Sequence, residues 1–268
     1  MGSTIDYDGW KQEYRPVLES FREKSVKDLF SGGKDSSLAL HLMSKASKEF
    51  GFDFEAHVGA FPVHRYPEKD RERIHSYWRE RGVEVTWHDP GKTDDFIENE
   101  PNPCLPCQKL RKQMLSTISG TVVGDWKSLV LVTSYTLWDI VSYTIEHILN
   151  LPVSDSVSAE ARKRYLETAQ RFYPVLEMKE GYTVFRPLVK CNADDIKKTV
   201  EEAGIPTLLT PCKFAEFRPK RMLQRYYQKE TLRFDYDKVL DFAKKSLSLP
   251  DSSFFSSIGR EEYLQSLF

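Results

Sequence analysis

Residues 29–38 read Leu-Phe-Ser-Gly-Gly-Lys-Asp-Ser-Ser-Leu, and this stretch constrains the chain more than any other. The run from Val26 to Phe30 has the length and apolarity of a buried strand. Ser36 to Phe50 places Leu38, Leu40, Leu42, Met43 and Ala46 at apolar helix positions. Two glycines between these segments permit a sharp turn and a close backbone approach to a ligand. A helix opening from such a turn presents unpaired N–H groups and the positive end of its dipole. Lys34 adds a cation, and Ser36 and Ser37 add hydroxyl donors. Ser31-Gly32-Gly33-Lys34-Asp35-Ser36 therefore reads as a pyrophosphate cradle. It is not a Walker loop, which needs four residues between its first glycine and Gly-Lys.

Further strands are predicted at Phe54–Val63, Val83–His88, Ser128–Thr133 and Val184–Leu188. Helices are predicted at 8–24, 67–81, 108–118, 137–149, 162–172, 193–203, 219–233 and 236–247. Strands alternating with helices imply an α/β fold, a doubly wound and mostly parallel sheet with helices on both faces. Ligands in such sheets sit at the carboxyl ends of the strands, where the Gly-Gly turn and the 133–139 turn both fall. The expected organisation is a catalytic domain over 1–215 and a helical C-terminal extension over 216–268.

With 39 Lys and Arg against 40 Asp and Glu, the net charge of −1 exerts no global pull toward nucleic acid or anionic membrane. Met1 to Trp10 is polar and acidic, unlike a secretory leader. No uncharged apolar run approaches ~18 residues. The expectation is a cytoplasmic protein with no membrane partner. Two-fold assembly is common among soluble enzymes, and a homodimer fits the chain without being specified by it.

The four cysteines are Cys104, Cys107, Cys191 and Cys212. In a reducing compartment, Cys104-Leu105-Pro106-Cys107 reads as metal-binding or redox-active rather than as a structural disulfide. Residues 89–106, rich in Asp, Asn and Pro, read as a loop delivering this pair, and Cys212 follows Pro211 much later. Three thiolates suit a 4Fe–4S cluster with one iron open, or zinc with an open position, or a redox pair at Cys104 and Cys107. Cys191 lies beside Asn192-Ala193-Asp194-Asp195, a helix N-cap pattern, and reads as structural.

The Ser31–Ser36 loop resembles the signature of the PP-loop ATP pyrophosphatase superfamily, also called adenine nucleotide alpha-hydrolase-like. With the cysteines, and with Leu110-Arg111-Lys112, Arg186-Pro187-Leu188 and Pro211-Cys212, it looks like the TtcA/TtuA-type tRNA-thiolating branch over roughly residues 25–225. The resemblance implies ATP bound by Ser31, Gly32, Gly33, Lys34, Asp35, Ser36 and Ser37, with adenine against Gly59-Ala60-Phe61. It implies catalytic roles for Lys34, Asp35, Arg111 and Asp139. It also implies Mg2+ on the phosphates and a 4Fe–4S cluster on Cys104, Cys107 and Cys212. The implied reaction is adenylation of a substrate carbonyl oxygen followed by sulfur insertion. The implied partners are a tRNA base or a small molecule, and a sulfur donor such as sulfide or a persulfide carrier.

The branch carries Gly-His-His/Asn-x-Asp-Asp after its fourth strand. Here the segment reads Ser134-Tyr135-Thr136-Leu137-Trp138-Asp139, so Tyr135 replaces the histidine and Trp138 the first aspartate. Trp138 reads as core rather than as a stacking surface. Residues 218–233 carry six Lys or Arg against one Glu and read as a phosphate-contacting helix. Two competing readings are a sulfonucleotide reductase, which would need a cysteine beyond Cys212, and a nucleotide-binding module without catalysis.

Overall fold

The computed structural model describes residues 2–149 and 165–266. Its centre is a six-stranded sheet in the order β3-β2-β1-β4-β6-β5. The strands are β1 (Ser25–Leu29), β2 (Asp53–Gly59), β3 (Glu84–His88), β4 (Leu129–Val132), β5 (Val175–Glu177) and β6 (Thr183–Phe185). All neighbouring pairs are parallel except β5 with β6, an antiparallel edge that periodicity does not anticipate because each strand is three residues long. In register, Asp28 lies between Ala56 and Val132, whereas Lys27 lies between Glu55 and Leu131. The alternation divides the core in two.

One face carries α1 (Tyr7–Glu19), α2 (Lys34–Phe50) and α3 (Glu68–Arg79). Trp10, Tyr14 and Leu18 repeat at helical spacing along α1 and bury into this first core with Val26, Ala56, Val130 and Val132. Each such side chain contributes about 1.5–3 kcal/mol by leaving water. The Asp6 carboxylate caps α1 by accepting from the Gly9 N–H at 2.9 Å. The opposite face carries the short α4 (Asp95–Glu98), α5 (Cys104–Val122) and α6 (Leu137–Leu149). The helix α7 (Ala193–Glu202) returns to the first face, where Ile196 and Val200 pack.

The C-terminal helices are α8 (Pro219–Lys229), α9 (Tyr236–Ser246) and α10 (Arg260–Ser266). Tyr227, Tyr236, Ala243 and Tyr263 join Leu131, Trp138 and Phe172 in the second core. The segment predicted as a helix at 162–172 is helical from 165 to 169 and closes with a 3-10 turn at Gln170–Phe172. Its first three residues lie outside the described part.

The largest departure from the sequence reading concerns Cys104 and Cys107, which belong to the first turn of α5 rather than to a loop. Pro106 misled that reading, but the first helical turn has no intrahelical N–H bonds for a proline to remove. Helix α8 is likewise shorter than predicted, ending at Lys229. Among the described residues no helix is long and apolar enough to cross a membrane.

Candidate functional site

The strand order reverses between the parallel neighbours β1 and β4, and the carboxyl ends of these strands open into a cleft of about 890 Å³. That is near the top of the roughly 300–1,000 Å³ range of ligand sites. The Gly-Gly turn forms one wall. Gly32 has φ +69, a left-handed conformation, and a Cβ there would sit 2.7 Å from Leu208 Cγ. The Leu208 N–H donates to the Gly32 carbonyl at 2.7 Å, pinning the two segments together. Gly33 is the N-cap of α2 and makes no side-chain cap bond. The Ser36 hydroxyl braces the turn internally, donating to Gly33 O at 3.0 Å and accepting from the Ser31 N–H at 3.2 Å.

Ser31, Gly33, Asp35 and Ser36 line the cleft. The Ser37 hydroxyl instead donates to Pro206 O at 3.3 Å, which is a bracing role rather than a ligand-facing one. Gly32 shapes the loop from behind. Lys34 and Asp35 are paired with each other at the helix start, both about one-third exposed.

The apolar end of the cleft is walled by Leu29, Gly59, Met114, Leu115 and Ile118, an apolar slot between the carboxyl ends of β1 and β2 and helix α5. A Cβ on Gly59 would touch Met114 Cε at 3.6 Å. Ala60 and Phe61 are buried behind this slot, Phe61 packing on Cys107 and Leu110, so only their main chain could meet a nucleobase. His57 adds a polar ring. It meets His88 at 3.1 Å, and burial, with the His88 and Lys27 charges, pushes its pKa down to about 4. The imidazole is therefore neutral at physiological pH. Sequence reasoning assigned His57 and His88 nothing, although adjacent parallel strands bring them together.

The three cysteines come to one region. The Cys104 thiol faces Phe214 O at 3.5 Å, which ties the 212–214 loop to α5. Burial pushes the Cys107 thiol up, Arg111 and Arg218 pull it down, and Cys212 and Cys104 raise it further. Burial disfavours the charge on Arg218, but its hydrogen bond with Cys104 and the nearby Cys107 and Cys212 outweigh that and raise its pKa. Arg218 is thus a common neighbour of all three thiols. Among the described residues, however, no three His, Cys, Asp or Glu side chains stand in ligating geometry. The donor set fits a three-cysteine cluster, with two arginines placed to offset its negative charge, but the cage is not closed. Cys191 lies elsewhere, and burial pushes its thiol up to about 12. That makes it unreactive near neutrality.

Asp139 lies at the cleft but is heavily bonded. Its carboxylate accepts from the Thr136 N–H at 2.8 Å, from the Thr136 hydroxyl at 3.0 Å and from Gln224 Nε2 at 3.0 Å, and it pairs with Lys220 at 2.8 Å. Thr136 and Asp139 form the capping box of α6. Burial disfavours the Asp139 charge, yet Lys220 and Thr136 hold its pKa below the usual carboxylate range. Its geometry is that of a positioning residue between α6 and α8. Asp139→Ala is expected to cost about 2–4 kcal/mol in urea denaturation, because it strips a cap and leaves Lys220 unpaired. Lys220→Met should cost clearly less, since three donors to Asp139 remain.

The basic segment 218–233 is not a uniform outward stripe. Arg218, Lys220 and Arg221 line the cleft, Arg225 pairs with Glu216, and Arg233 pairs with Asp195. His64 is also structural. It bonds Asp94 at 2.6 Å and accepts from the Lys213 N–H at 3.1 Å, while its neighbour Arg65 reaches the cleft. Trp138 is core, 4% exposed, with its indole N–H on Asn192 at 3.3 Å. Arg186 is fully buried and bonds Tyr173 O at 2.8 Å.

The chain thus folds as an α/β domain around a mostly parallel six-stranded sheet, with the Gly-Gly turn at the carboxyl end of β1. It resembles the U34-tRNA thiolase NcsA from Methanococcus maripaludis, a protein with a 4Fe–4S cluster, at a TM-score of 0.65. The identity is 14%, over 96% of this chain and 88% of that one. It also resembles an NAD+ synthetase from Burkholderia pseudomallei at a TM-score of 0.50 and 14% identity, over 92% of each chain. At such identities the likeness establishes the fold alone. No protein-family model matches the chain, and no curated protein matches it in sequence.

Proposed function

We propose that this protein adenylates a carbonyl oxygen of its substrate with ATP and then exchanges that oxygen for sulfur. The observation that carries the proposal is the shared cleft, in which the open N-terminus of α2 and the Cys104 region line one space. The apolar slot lined by Leu29, Met114, Leu115 and Ile118 takes adenine, with Gly59 at its wall, and the N–H groups of the Gly-Gly turn and α2 take the β- and γ-phosphates. The substrate oxygen attacks the α-phosphorus and the bond to the β-phosphate breaks, releasing pyrophosphate. A sulfide sulfur from the donor then bonds the activated carbon, and AMP leaves with the original oxygen. No electrons are exchanged in either step. Mg2+ would offset phosphate charge, with Asp35 at the loop as its nearest acid.

Cys104, Cys107 and Cys212 would hold a 4Fe–4S cluster, as the thiolase NcsA holds one. When bound, such a cluster supplies an open iron for the sulfur nucleophile. A tRNA base is the first acceptor to test. A small-molecule acceptor is the second reading, favoured by the inward turn of Lys220 and by the ion pair that occupies Arg225.

Anaerobic reconstitution with iron and sulfide is expected to load the wild type and Cys191→Ser alike. Cys104→Ser, Cys107→Ser and Cys212→Ser should each lose most of the iron and the visible absorbance. Full iron in all three variants would sink the cluster. Independently, tRNA or a nucleobase should stimulate AMP and pyrophosphate release from ATP; release of ADP and phosphate instead would sink adenylation.

A further inference from the structure

The part of the cleft formed by α6 and the Gln170–Phe172 turn holds cations that the proposed ATP chemistry does not use. Arg171 lines the cleft yet is only 4% exposed. Its guanidinium lies 4.9 Å from the centre of the Tyr135 ring and 4.6 Å from that of Tyr143. The rings strip water from the guanidinium and leave its N–H edge for bonding. One Nη donates to the Ser266 carbonyl, the guanidinium also bonds the Tyr143 hydroxyl, and among the described residues Nε has no acceptor. Behind it, Arg186 is fully buried, held by the Tyr173 carbonyl, Gln170 and Tyr263. Among the described residues neither arginine forms an ion pair with a carboxylate.

The surrounding charges do not balance this pair. Asp139 is committed to Lys220. Glu146 lies within electrostatic reach of both Lys220 and Arg171, and burial raises its pKa while these two cations lower it. Buried cations without a counter-charge are strongly disfavoured unless an anion completes them. A guanidinium fork selects a planar or tetrahedral oxyanion that can accept two N–H bonds. The aromatic rings beside it suit a flat acceptor.

We propose that Arg171, framed by Tyr135 and Tyr143, anchors an oxyanion group, a carboxylate or a phosphate, of the acceptor molecule. This rests on the reading that ATP and an acceptor share the cleft. It deepens that reading by making the acceptor an acid or a nucleotide rather than a neutral base. Arg171 would then fix which carbonyl faces the α-phosphate.

The test titrates inorganic phosphate and, separately, benzoate into protein saturated with α,β-methylene-ATP, followed by calorimetry. At least one of the two should bind with one-to-one stoichiometry, and which binds tighter separates a phosphate-bearing from a carboxylate-bearing acceptor. Arg171→Gln should weaken that binding at least tenfold, with Arg171→Lys intermediate. If Arg171→Gln does not fold, Tyr143→Leu serves, and it should weaken binding at least threefold. The proposal is overturned if neither probe binds, if affinity is unchanged in the variant that folds, or if the probe only competes with the nucleotide analogue. Should the analogue fail to bind while a probe still binds in an Arg171-dependent way, the ATP reading falls and the anion site stands.

Discussion

Gly32→Val is expected to lower ATP-dependent pyrophosphate release by at least about 100-fold, since displacing a reacting group by about 1 Å can cost that much. Two effects act together. The φ of +69 is disfavoured for any residue with a Cβ, by about 1–2 kcal/mol, and more for a β-branched one. The new Cβ would also lie 2.7 and 2.8 Å from Leu208 Cγ and Cδ1. Leu208 cannot retreat freely, because its N–H holds the Gly32 carbonyl at 2.7 Å. Relief must come from the turn itself, which moves the N–H groups proposed to hold the phosphates. Gly32→Ala with Leu208→Ala removes the close contact but keeps the backbone strain, so it should recover only part of the activity. Denaturation midpoints separate the two contributions. If Gly32→Val released pyrophosphate at the wild-type rate, the phosphates would have to bind elsewhere.

The same turn shows how far the sequence is readable. Its glycines, the strand before it and the helix after it are local features, and all three stand where the pattern places them. Helix α6 matches its predicted span because the run from Leu137 to Leu149 is apolar and lacks breakers. Asp139 drew a catalytic reading from the family resemblance, although Thr136-Leu137-Trp138-Asp139 also spells a capping box. Only the structure shows that the capping geometry is realised and that Lys220 completes it. Arg171 and Tyr143 carried no motif. They meet through the packing of α6 against the Gln170–Phe172 turn, a long-range event that no window of sequence reports. The cysteines fall between these cases. Their spacing was legible, but Pro106 hid the fact that α5 begins at Cys104.

Asp28→Val is expected to stabilise the protein by about 1–3 kcal/mol at neutral pH, the range for a buried polar group without a partner. Asp28 is fully buried in β1, and among the described residues neither carboxylate oxygen has a hydrogen-bond partner. Its register neighbours Ala56 and Val132 belong to the apolar first core. Burial pushes its pKa well above the usual carboxylate value of 3.8, so the folded protein keeps a proton that the unfolded chain releases. Stability is then undiminished below the unfolded pKa and falls as pH rises from there toward the folded pKa. Asp28→Asn separates the two contributions. It removes this pH dependence while leaving a buried polar amide, so it should flatten the profile and stabilise less than valine. Urea denaturation of the three proteins across pH 4 to 8 reads both effects. A valine variant less stable than the wild type at pH 7 would mean that Asp28 has a partner when the protein is folded in solution. The position would then belong to the working site rather than to the core beneath it.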